Sequence, residues 1–312
     1  MTLATTVMPE RSSRDIDAGA TVAAAITHGT LTLRASGSPS PRLDAEVLLS
    51  HITGRDRSWL LAHPEADVAE SGAFEAAIER RAAGEPIAYI RGFKEWRSLR
   101  IRTDARALIP RPETELLAEA AMTEIAKRLG HEAGQVIAWE VATGSGAVAL
   151  VLALRFRRAL ELGRLRLIAS DLSPDALELA AENLALHGVE AIVSLACADL
   201  LEPAGDSLPR PDVIVANLPY VASAEVEARH GSLGYEPRVA LDGGTDGLDL
   251  LRRFLADLPV RAASGATALL ELGVGQVDVV TEMAPAGASV SVVPDLAGLD
   301  RVVRIGMAGS AS

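Results

Sequence analysis

The stretch "WEVATGSGAVAL", residues 139 to 150, contains the features that decide the fold. An apolar run typical of a buried strand leads into a loop with glycines at positions 144 and 146, and an apolar helical run follows. Because glycine has no side chain, the backbone of this loop can pass close to a ligand before the helix begins. A strand, a glycine loop and a helix in this order indicate a sheet whose strands alternate with helices.

The alternation continues from residue 135 towards the end of the chain. Seven segments are strand-like, and most of the segments between them are helical. The strand-like segments are "QVIAWEVA", "RLRLIASD", "AIVSLACAD", "PDVIVAN", "ATALLELG", "SVSVV" and "DRVVRIG". This pattern predicts an α/β fold with a seven-stranded, mostly parallel sheet that helices cover on both faces.

The first third of the chain differs in pattern. Residues 1 to 18 are polar and irregular, and we expect a loose tail. Residues 19 to 90 show no strand-like alternation, and their capped starts and glycine stops predict a small helical domain. Residues 91 to 110 place aromatic side chains among charges, which favours a short hairpin that links the helical domain to an α/β domain at residues 111 to 308.

The composition restricts the class of protein. The 312 residues suffice for two cores, and 49% hydrophobic with 23% charged residues is ordinary for a globular protein. A net charge of −12 argues against direct nucleic-acid binding. The lone cysteine, Cys197, excludes a disulfide framework, and its apolar surroundings predict a buried thiol. Because no secretory signal or membrane-length apolar run is visible, we expect a cytoplasmic protein with no membrane partner.

Two acidic residues stand at predicted strand ends. Asp171 ends the second strand, where a carboxylate can accept both hydroxyls of a ribose, as in sites for NAD and for S-adenosylmethionine. It could instead cap the next helix, but Ser173 before Pro174 suits that role better. Glu140 ends the first strand and should lie near the cofactor unless it is a solvated strand-end charge. The glycine loop alone is a weak signal, since a tight turn without a ligand has the same pattern.

The fourth strand ends in an unusual segment, "VIVANLPYVAS", residues 213 to 223. The carboxamide oxygen of Asn217 can accept one hydrogen of an NH2 group, and the carbonyl oxygen of Leu218 can accept the other. Pro219 keeps Leu218 extended, and Tyr220 offers a ring face to a planar group. The segment therefore predicts a site that holds a planar NH2 group towards a methyl donor, although a Pro-Tyr turn after a buried strand is the simpler alternative.

The chemistry that this segment supports is methyl transfer. Asn217 cannot act as a base, but it can stabilise the positive charge that develops on the accepting nitrogen. Nearby carboxylates and ring faces would attract a sulfonium donor. The reaction needs no metal, and no histidine or cysteine cluster in the sequence suggests a metal site.

From about residue 20 to 307, the chain resembles the HemK-like family of protein glutamine N5-methyltransferases, which modify peptide-chain release factors. The resemblance is carried by the Asn217 segment and by "GEPIAYIRGFKEW", "LIPRPETELLAE", "YEPRVALDGGTDGLDLLRRF" and "DLAGLDRVVRIG". It implies a class I S-adenosylmethionine domain behind a helical domain that helps to hold the release factor. The methyl acceptor would be the glutamine of a Gly-Gly-Gln loop.

The resemblance also implies roles for individual residues. The cofactor-binding residues would be Ala142, Thr143, Gly144, Ser145 and Gly146 near the methionine part, Asp171 at the ribose and Leu200 at the adenine, together with Glu140 and Asn217. The glutamine amide would be held by Asn217, Leu218, Pro219 and Tyr220, with Arg111, Glu113 and Thr114 near the same pocket. The helical start at Pro112 offers a purely structural explanation for the last three residues.

Three positions depart from the family pattern, which usually has Asp at Glu140, Gly at Ala142 and Pro at Leu218. The methyl group of Ala142 is compatible with the cofactor if Ala142 keeps a negative φ. Because "NLPY" also resembles the motif of ribosomal-RNA adenine dimethyltransferases, an RNA or DNA adenine methyltransferase is one alternative. The early position of the helical domain and the acidic charge argue against it.

Two further alternatives come from other classes of protein. An NAD-dependent oxidoreductase would explain the glycine loop and Asp171, but not the segment from Asn217 to Tyr220. The chain could also be a degenerate protein that binds release factor without catalysis. Ala142 and Leu218 would then be substitutions that accompany the loss of cofactor binding.

Overall fold

The structure is a computed structural model. It describes residues 20–132, 134–203, 208–229, 231–295 and 297–309. The chain divides into two compact units between Arg91 and Gly92. The loose tail expected at residues 1 to 18 lies outside the described residues. Within the described part, no helix is long and apolar enough to cross a bilayer.

The described part of the first unit is helical. Its helices are α1 (Val22–Ala35), α2 (Pro41–Thr53), α3 (Arg57–Ala62), α4 (Ser71–Ala82) and α5 (Ile87–Arg91). Pro41 is the first residue of α2, and Gly54 ends that helix in the left-handed conformation, one of the glycine stops expected in this part of the chain. Leu33, Leu48 and Leu49 are fully buried in the core of this unit.

The second unit begins with a hairpin of two antiparallel strands, β1 (Phe93–Trp96) and β2 (Leu99–Arg102). The helix α6 (Thr114–His131) follows, and then the main sheet begins. Its strands are β3 (Val136–Val141), β4 (Leu165–Asp171), β5 (Val193–Asp199), β6 (Glu202–Pro203), β7 (Val213–Ala216), β8 (Thr267–Glu271), β9 (Ser289–Pro294) and β10 (Asp300–Gly306). Its helices are α7 (Ala147–Arg155), α8 (Arg157–Glu161), α9 (Pro174–Leu186), α10 (Ser223–Glu227), α11 (Asp249–Arg261) and α12 (Val277–Glu282).

The strand order of this sheet is β6-β5-β4-β3-β7-β8-β10-β9. The seven predicted strands are confirmed, and five of them (β5, β4, β3, β7 and β8) run parallel. β10 and β9 are antiparallel additions at one edge. The unpredicted strand β6 pairs with β5 over two residues, which is too short to show a two-residue period.

The path of the chain through the sheet places the site. From β3 the chain steps outward through β4 to β5, and then returns to β7 on the other side of β3. Ligands of open α/β sheets bind where the strand order reverses, outside the carboxyl ends of the strands. The candidate site therefore lies beyond Val141 and Ala216, which are paired at the ends of β3 and β7.

Side chains of the central strands are buried on both faces of the sheet, as predicted. Along β3, Val136 and Ala138 belong to one apolar cluster with Leu150 of α7, whereas Trp139 and Val141 belong to another. The alternation follows from the two-residue period of a strand. The prediction of a buried Cys197 is wrong: this thiol is exposed on β5, whose only outer neighbour among the described strands is the short β6.

Candidate active site

Glu140 holds the glycine loop in place from the end of β3. Its Oε2 accepts hydrogen bonds from the Thr143 hydroxyl and from the Ala149 N–H, each at 2.8 Å. The side chain is 5% exposed, so it is not a solvated strand-end charge. Burial raises the pKa of the Glu140 carboxyl to about 8, against the opposing effect of the two hydrogen bonds.

Gly146 is required by close packing and by its backbone conformation. Its φ is +75°, in the left-handed region, and it caps α7. A Cβ at this position would lie 3.0 Å from Cβ of Ala180 on α9. Gly146 therefore allows the loop to pack closely against α9, and it is not among the residues that line the cleft.

Ala142 does not have the negative φ under which its methyl group is compatible with a cofactor. Its φ is +56°. A residue other than glycine in this conformation costs about 1–2 kcal/mol. Leu200, after β5, has a φ of +55° and is similarly strained. Both residues line the cleft, so the chain holds strained backbone at two points of one candidate site.

Asp171 connects the end of β4 to the glycine loop. Its Oδ2 accepts from the Gly144 N–H at 2.9 Å, and its Oδ1 accepts from the Ser173 N–H at 2.9 Å. The Ser173 hydroxyl caps α9 by accepting from the Ala176 N–H. Asp171 is thus not needed as the helix cap, and each carboxylate oxygen keeps a lone pair for a ligand. Burial raises the pKa of this carboxyl.

Asn217 follows β7 at the switch point of the sheet. Its Nδ2 donates to the Thr114 hydroxyl at 3.2 Å, which leaves its Oδ1 available as an acceptor. In the described part of the chain, no backbone N–H donates to the Leu218 carbonyl oxygen. The Leu218 side chain is 2% exposed and packs in the core cluster of Leu248 and Leu251. Leucine at this position therefore contributes core packing that a proline ring would not reproduce.

Tyr220 does not line the cleft. Its ring lies against Gly273, where an added Cβ would come within 3.1 Å of the Tyr220 Cδ2 atom. Gln276 donates from Nε2 to the Tyr220 carbonyl at 3.1 Å and accepts from the Gly273 N–H at 3.0 Å. Tyr220 is therefore held on the β8 side of Asn217, and burial raises the pKa of its hydroxyl.

The segment around Arg111 is fixed by a buried carboxylate that the sequence analysis missed. Glu236, 2% exposed, accepts from Nη2 of Arg111 at 2.6 Å and from the Ile109 N–H at 3.1 Å. Trp96 of β1 donates its indole N–H to the Arg111 carbonyl at 2.9 Å. The segments "LIPRPETE" and "YEPRVAL" thus form one wall, because both contribute lining residues.

Glu271, the last residue of β8, is a second buried carboxylate that was missed. It is 2% exposed and lies beside Thr114 and Asn217. Burial raises the pKa of its carboxyl to about 7, while hydrogen bonds from these two neighbours and the charge of Arg301 act to lower it. An acid in the strand-like run "ATALLELG" is the signal that could have directed attention to it.

The structure brings most of the predicted residues together around one cleft, whose empty space of about 1020 Å³ includes the part open to solvent. The predicted residues that line it are Arg111, Thr114, Glu140, Ala142, Thr143, Gly144, Ser145, Asp171, Leu200, Asn217, Leu218 and Pro219. Gly146, Tyr220 and Glu113 were predicted but do not line it. Unpredicted lining residues include Leu108, Pro110, Ala198, Asp199, Val239, Ala240 and Leu250. The lining could hold an elongated ligand with hydroxyl groups at Asp171 and a planar apolar group at Leu200.

The sheet order, the glycine loop after β3 and the Asn-x-Pro-Tyr segment after β7 define a class I methyltransferase. Residues 24–92 match the family model of the PrmC N-terminal domain. The chain is 38% identical to the release factor glutamine methyltransferase of Deinococcus radiodurans, over 91% of this chain and 98% of that protein. It is 39% identical to the enzyme of the same name from Moorella thermoacetica, over 90% of this chain and 96% of that protein.

The chain belongs to the release factor glutamine methyltransferase family. Among solved structures, it is similar to the release-factor-specific protein-(glutamine-N5) methyltransferase of Alicyclobacillus acidocaldarius subsp. acidocaldarius. That likeness covers 64% of this chain and 94% of the other, with 27% identity and a TM-score of 0.37. Family membership rests on the two sequence relatives.

Proposed function

We propose that this protein transfers a methyl group from S-adenosylmethionine to the side-chain nitrogen N5 of the glutamine in the Gly-Gly-Gln loop of a peptide-chain release factor. The observation that carries the proposal is the position of Asn217. It lies at the switch point of the sheet, lines the same cleft as the glycine loop, and has its Nδ2 engaged by Thr114 so that its oxygen can accept.

The residues of the cleft fit S-adenosylmethionine except at Ala142, whose φ of +56° departs from the negative φ that its methyl group needs beside the cofactor. Asp171 keeps lone pairs for the ribose hydroxyls, and Leu200 and Leu250 provide apolar surface for the adenine. The glycine loop, held by Glu140, lies where the methionine part would bind. When bound, the cofactor supplies a methyl group on a cationic sulfur, and the buried carboxyls of Glu140 and Asp171 favour a cation nearby when they are ionised.

The accepting amide is held by acceptors only. Asn217 Oδ1 and the Leu218 carbonyl would each accept one hydrogen of the glutamine NH2, which fixes the plane of the amide. Positive charge that develops on the nitrogen is stabilised by these two oxygen dipoles. Because neither group is a base, the proton that the nitrogen loses passes to water after the methyl group has been transferred.

The partner and the compartment follow from this reaction. The substrate is a protein, and the helical unit, which contains residues 24–91 of the matched segment, is proposed to contribute to binding it. Release factors act in translation, so the proposed activity belongs to the cytoplasm. The site also accommodates other planar NH2 groups, which makes an adenine amine the competing acceptor.

The experiment offers purified release factor and RNA side by side with S-adenosylmethionine labelled in its methyl group. The proposal expects label in the release factor and none in the RNA. It also expects that changing the glutamine of the Gly-Gly-Gln loop abolishes labelling. Label in RNA alone contradicts the proposal, and calorimetric binding of NADH in place of S-adenosylmethionine would favour an oxidoreductase.

A further inference from the structure

Glu271 lies beside Asn217 because of the strand register. Ala216 of β7 is paired with Leu270 of β8, so the next residues along these parallel strands, Asn217 and Glu271, are neighbours on the same face. Glu271 is 2% exposed, and its Oε2 is a buried atom without a hydrogen-bond partner in the described part of the chain. A buried carboxyl oxygen without a hydrogen-bond partner lowers the stability of the folded protein. A functional role for Glu271 would explain why it is kept there.

Thr114 joins these two residues. Its hydroxyl oxygen accepts from Nδ2 of Asn217 at 3.2 Å, and both Thr114 and Asn217 lie close enough to the Glu271 carboxyl to act on its pKa. A carboxylate only accepts hydrogen bonds. When Glu271 is ionised, the Thr114 hydroxyl hydrogen is therefore directed to it, and the Thr114 oxygen is left to accept from Asn217.

We infer that Glu271 is a positioning residue that fixes the orientation of the Asn217 carboxamide through Thr114. With an acceptor at Glu271, the NH2 of Asn217 faces the interior and its Oδ1 faces the cleft. A reversed carboxamide would place an NH2 group against the NH2 of the bound amide, donor against donor. The inference rests on the proposed function, because it assigns Glu271 to the acceptor side of that reaction.

The test measures kcat and KM for release factor at saturating S-adenosylmethionine. Glu271→Ala is expected to lower kcat about 30- to 300-fold, as for loss of one aligned polar contact, with both KM and cofactor Kd changed less than about threefold. Glu271→Gln keeps an acceptor oxygen and is expected to retain kcat within about fivefold. The cofactor Kd is expected to hold because Glu271 does not line the cleft.

A double-mutant cycle separates positioning from unrelated effects. Thr114→Val removes the hydroxyl that links the two residues, and Thr114→Ser retains it. If the three residues act as one unit, the double variant of Thr114→Val and Glu271→Ala has a kcat within about threefold of the poorer single variant. Effects that multiply would overturn the inference, and so would a Glu271→Gln variant as slow as Glu271→Ala.

Glu124 of α6 provides a matched control. It contacts Thr267, the first residue of β8, at the end of that strand opposite to Glu271. It is also a buried carboxyl, and it accepts from Thr267, Arg304 and Arg128. Glu124→Ala is expected to lower the melting temperature with kcat within about twofold of wild type. Wild-type kcat in Glu271→Ala would overturn the inference while the proposed function stands. Absence of methyl transfer by the wild-type protein would instead contradict the proposed function.

Discussion

Arg111 and Glu236, 125 residues apart in the chain, form an ion pair at 2.6 Å in the wall of the cleft. Glu236 is buried and also accepts from the Ile109 N–H, so one carboxylate holds both a side chain and the backbone of the same segment. This contact fixes the segment that contributes Pro110, Arg111 and Thr114 to the cleft.

Replacing Glu236 should loosen this wall. Glu236→Ala leaves the Ile109 N–H without its partner, and we expect a loss of about 1–3 kcal/mol in the free energy of unfolding. If about 1 kcal/mol of that loss is expressed in cofactor binding, the Kd rises about fivefold. Chemical denaturation and titration with S-adenosylmethionine measure the two effects. Glu227→Ala, which removes an exposed partner of Arg238, is the control and should change stability by less than about 0.5 kcal/mol.

Ala142→Gly should stabilise the protein. Ala142 has a φ of +56°, which glycine adopts without strain, and we expect a gain of up to about 1 kcal/mol after the larger unfolded-state entropy of glycine is included. Ala153→Gly, in the buried interior of α7, is the matched control and should destabilise by about 1 kcal/mol or more. Equal destabilisation by both variants, measured by urea denaturation, would refute the strain at Ala142.

Glu140 should make the protein less stable as pH rises. Its pKa is raised by burial from 4.5 to about 8, so between these values the native state binds a proton that the unfolded chain has released. The free energy of unfolding therefore falls from about pH 4.5 to pH 8 by this contribution and is level above it. Glu140→Gln removes this slope. Denaturation at several pH values checks it, and an unchanged slope in the variant would show that Glu140 is ionised in the native protein.

Asn217→Ala should separate turnover from cofactor binding. Loss of one aligned acceptor is expected to lower kcat about 100- to 1000-fold. The Kd for S-adenosylmethionine should change little, because the glycine loop and Asp171 are held by their own hydrogen bonds. Steady-state kinetics and calorimetry measure the two quantities. Equal loss of turnover and of cofactor binding would place Asn217 on the cofactor side of the site.

Periodicity predicted the seven strands because each contains enough residues to show its pattern, whereas the two residues of β6 do not. The position of Asn217 at the cleft followed from its place after β7 in a parallel sheet. The partners of Glu236 and Glu271 come from distant segments, and local patterns do not contain such contacts. For the same reason the sequence could not place the Tyr220 ring against Gly273.

The positive φ of Ala142 was also beyond sequence reasoning. Alanine favours negative φ, and only the turn that the surrounding loop imposes overrides that preference. Cys197 was predicted to be buried from the apolar character of its segment. Cys197 lies on β5, which only the two-residue strand β6 separates from the edge of the described sheet, and its thiol is exposed there.

The central claim is that this protein methylates the side-chain nitrogen of one glutamine in a release factor. Its most direct test is mass spectrometry of release factor incubated with the wild-type protein and S-adenosylmethionine, with fragmentation to locate the added methyl group. The account predicts one methyl group on N5 of the glutamine in the Gly-Gly-Gln loop, and an initial rate of modification at least about 100-fold lower when Asn217→Ala replaces the wild-type protein. An unmodified glutamine, or a methyl group at another residue or in RNA, would contradict the account.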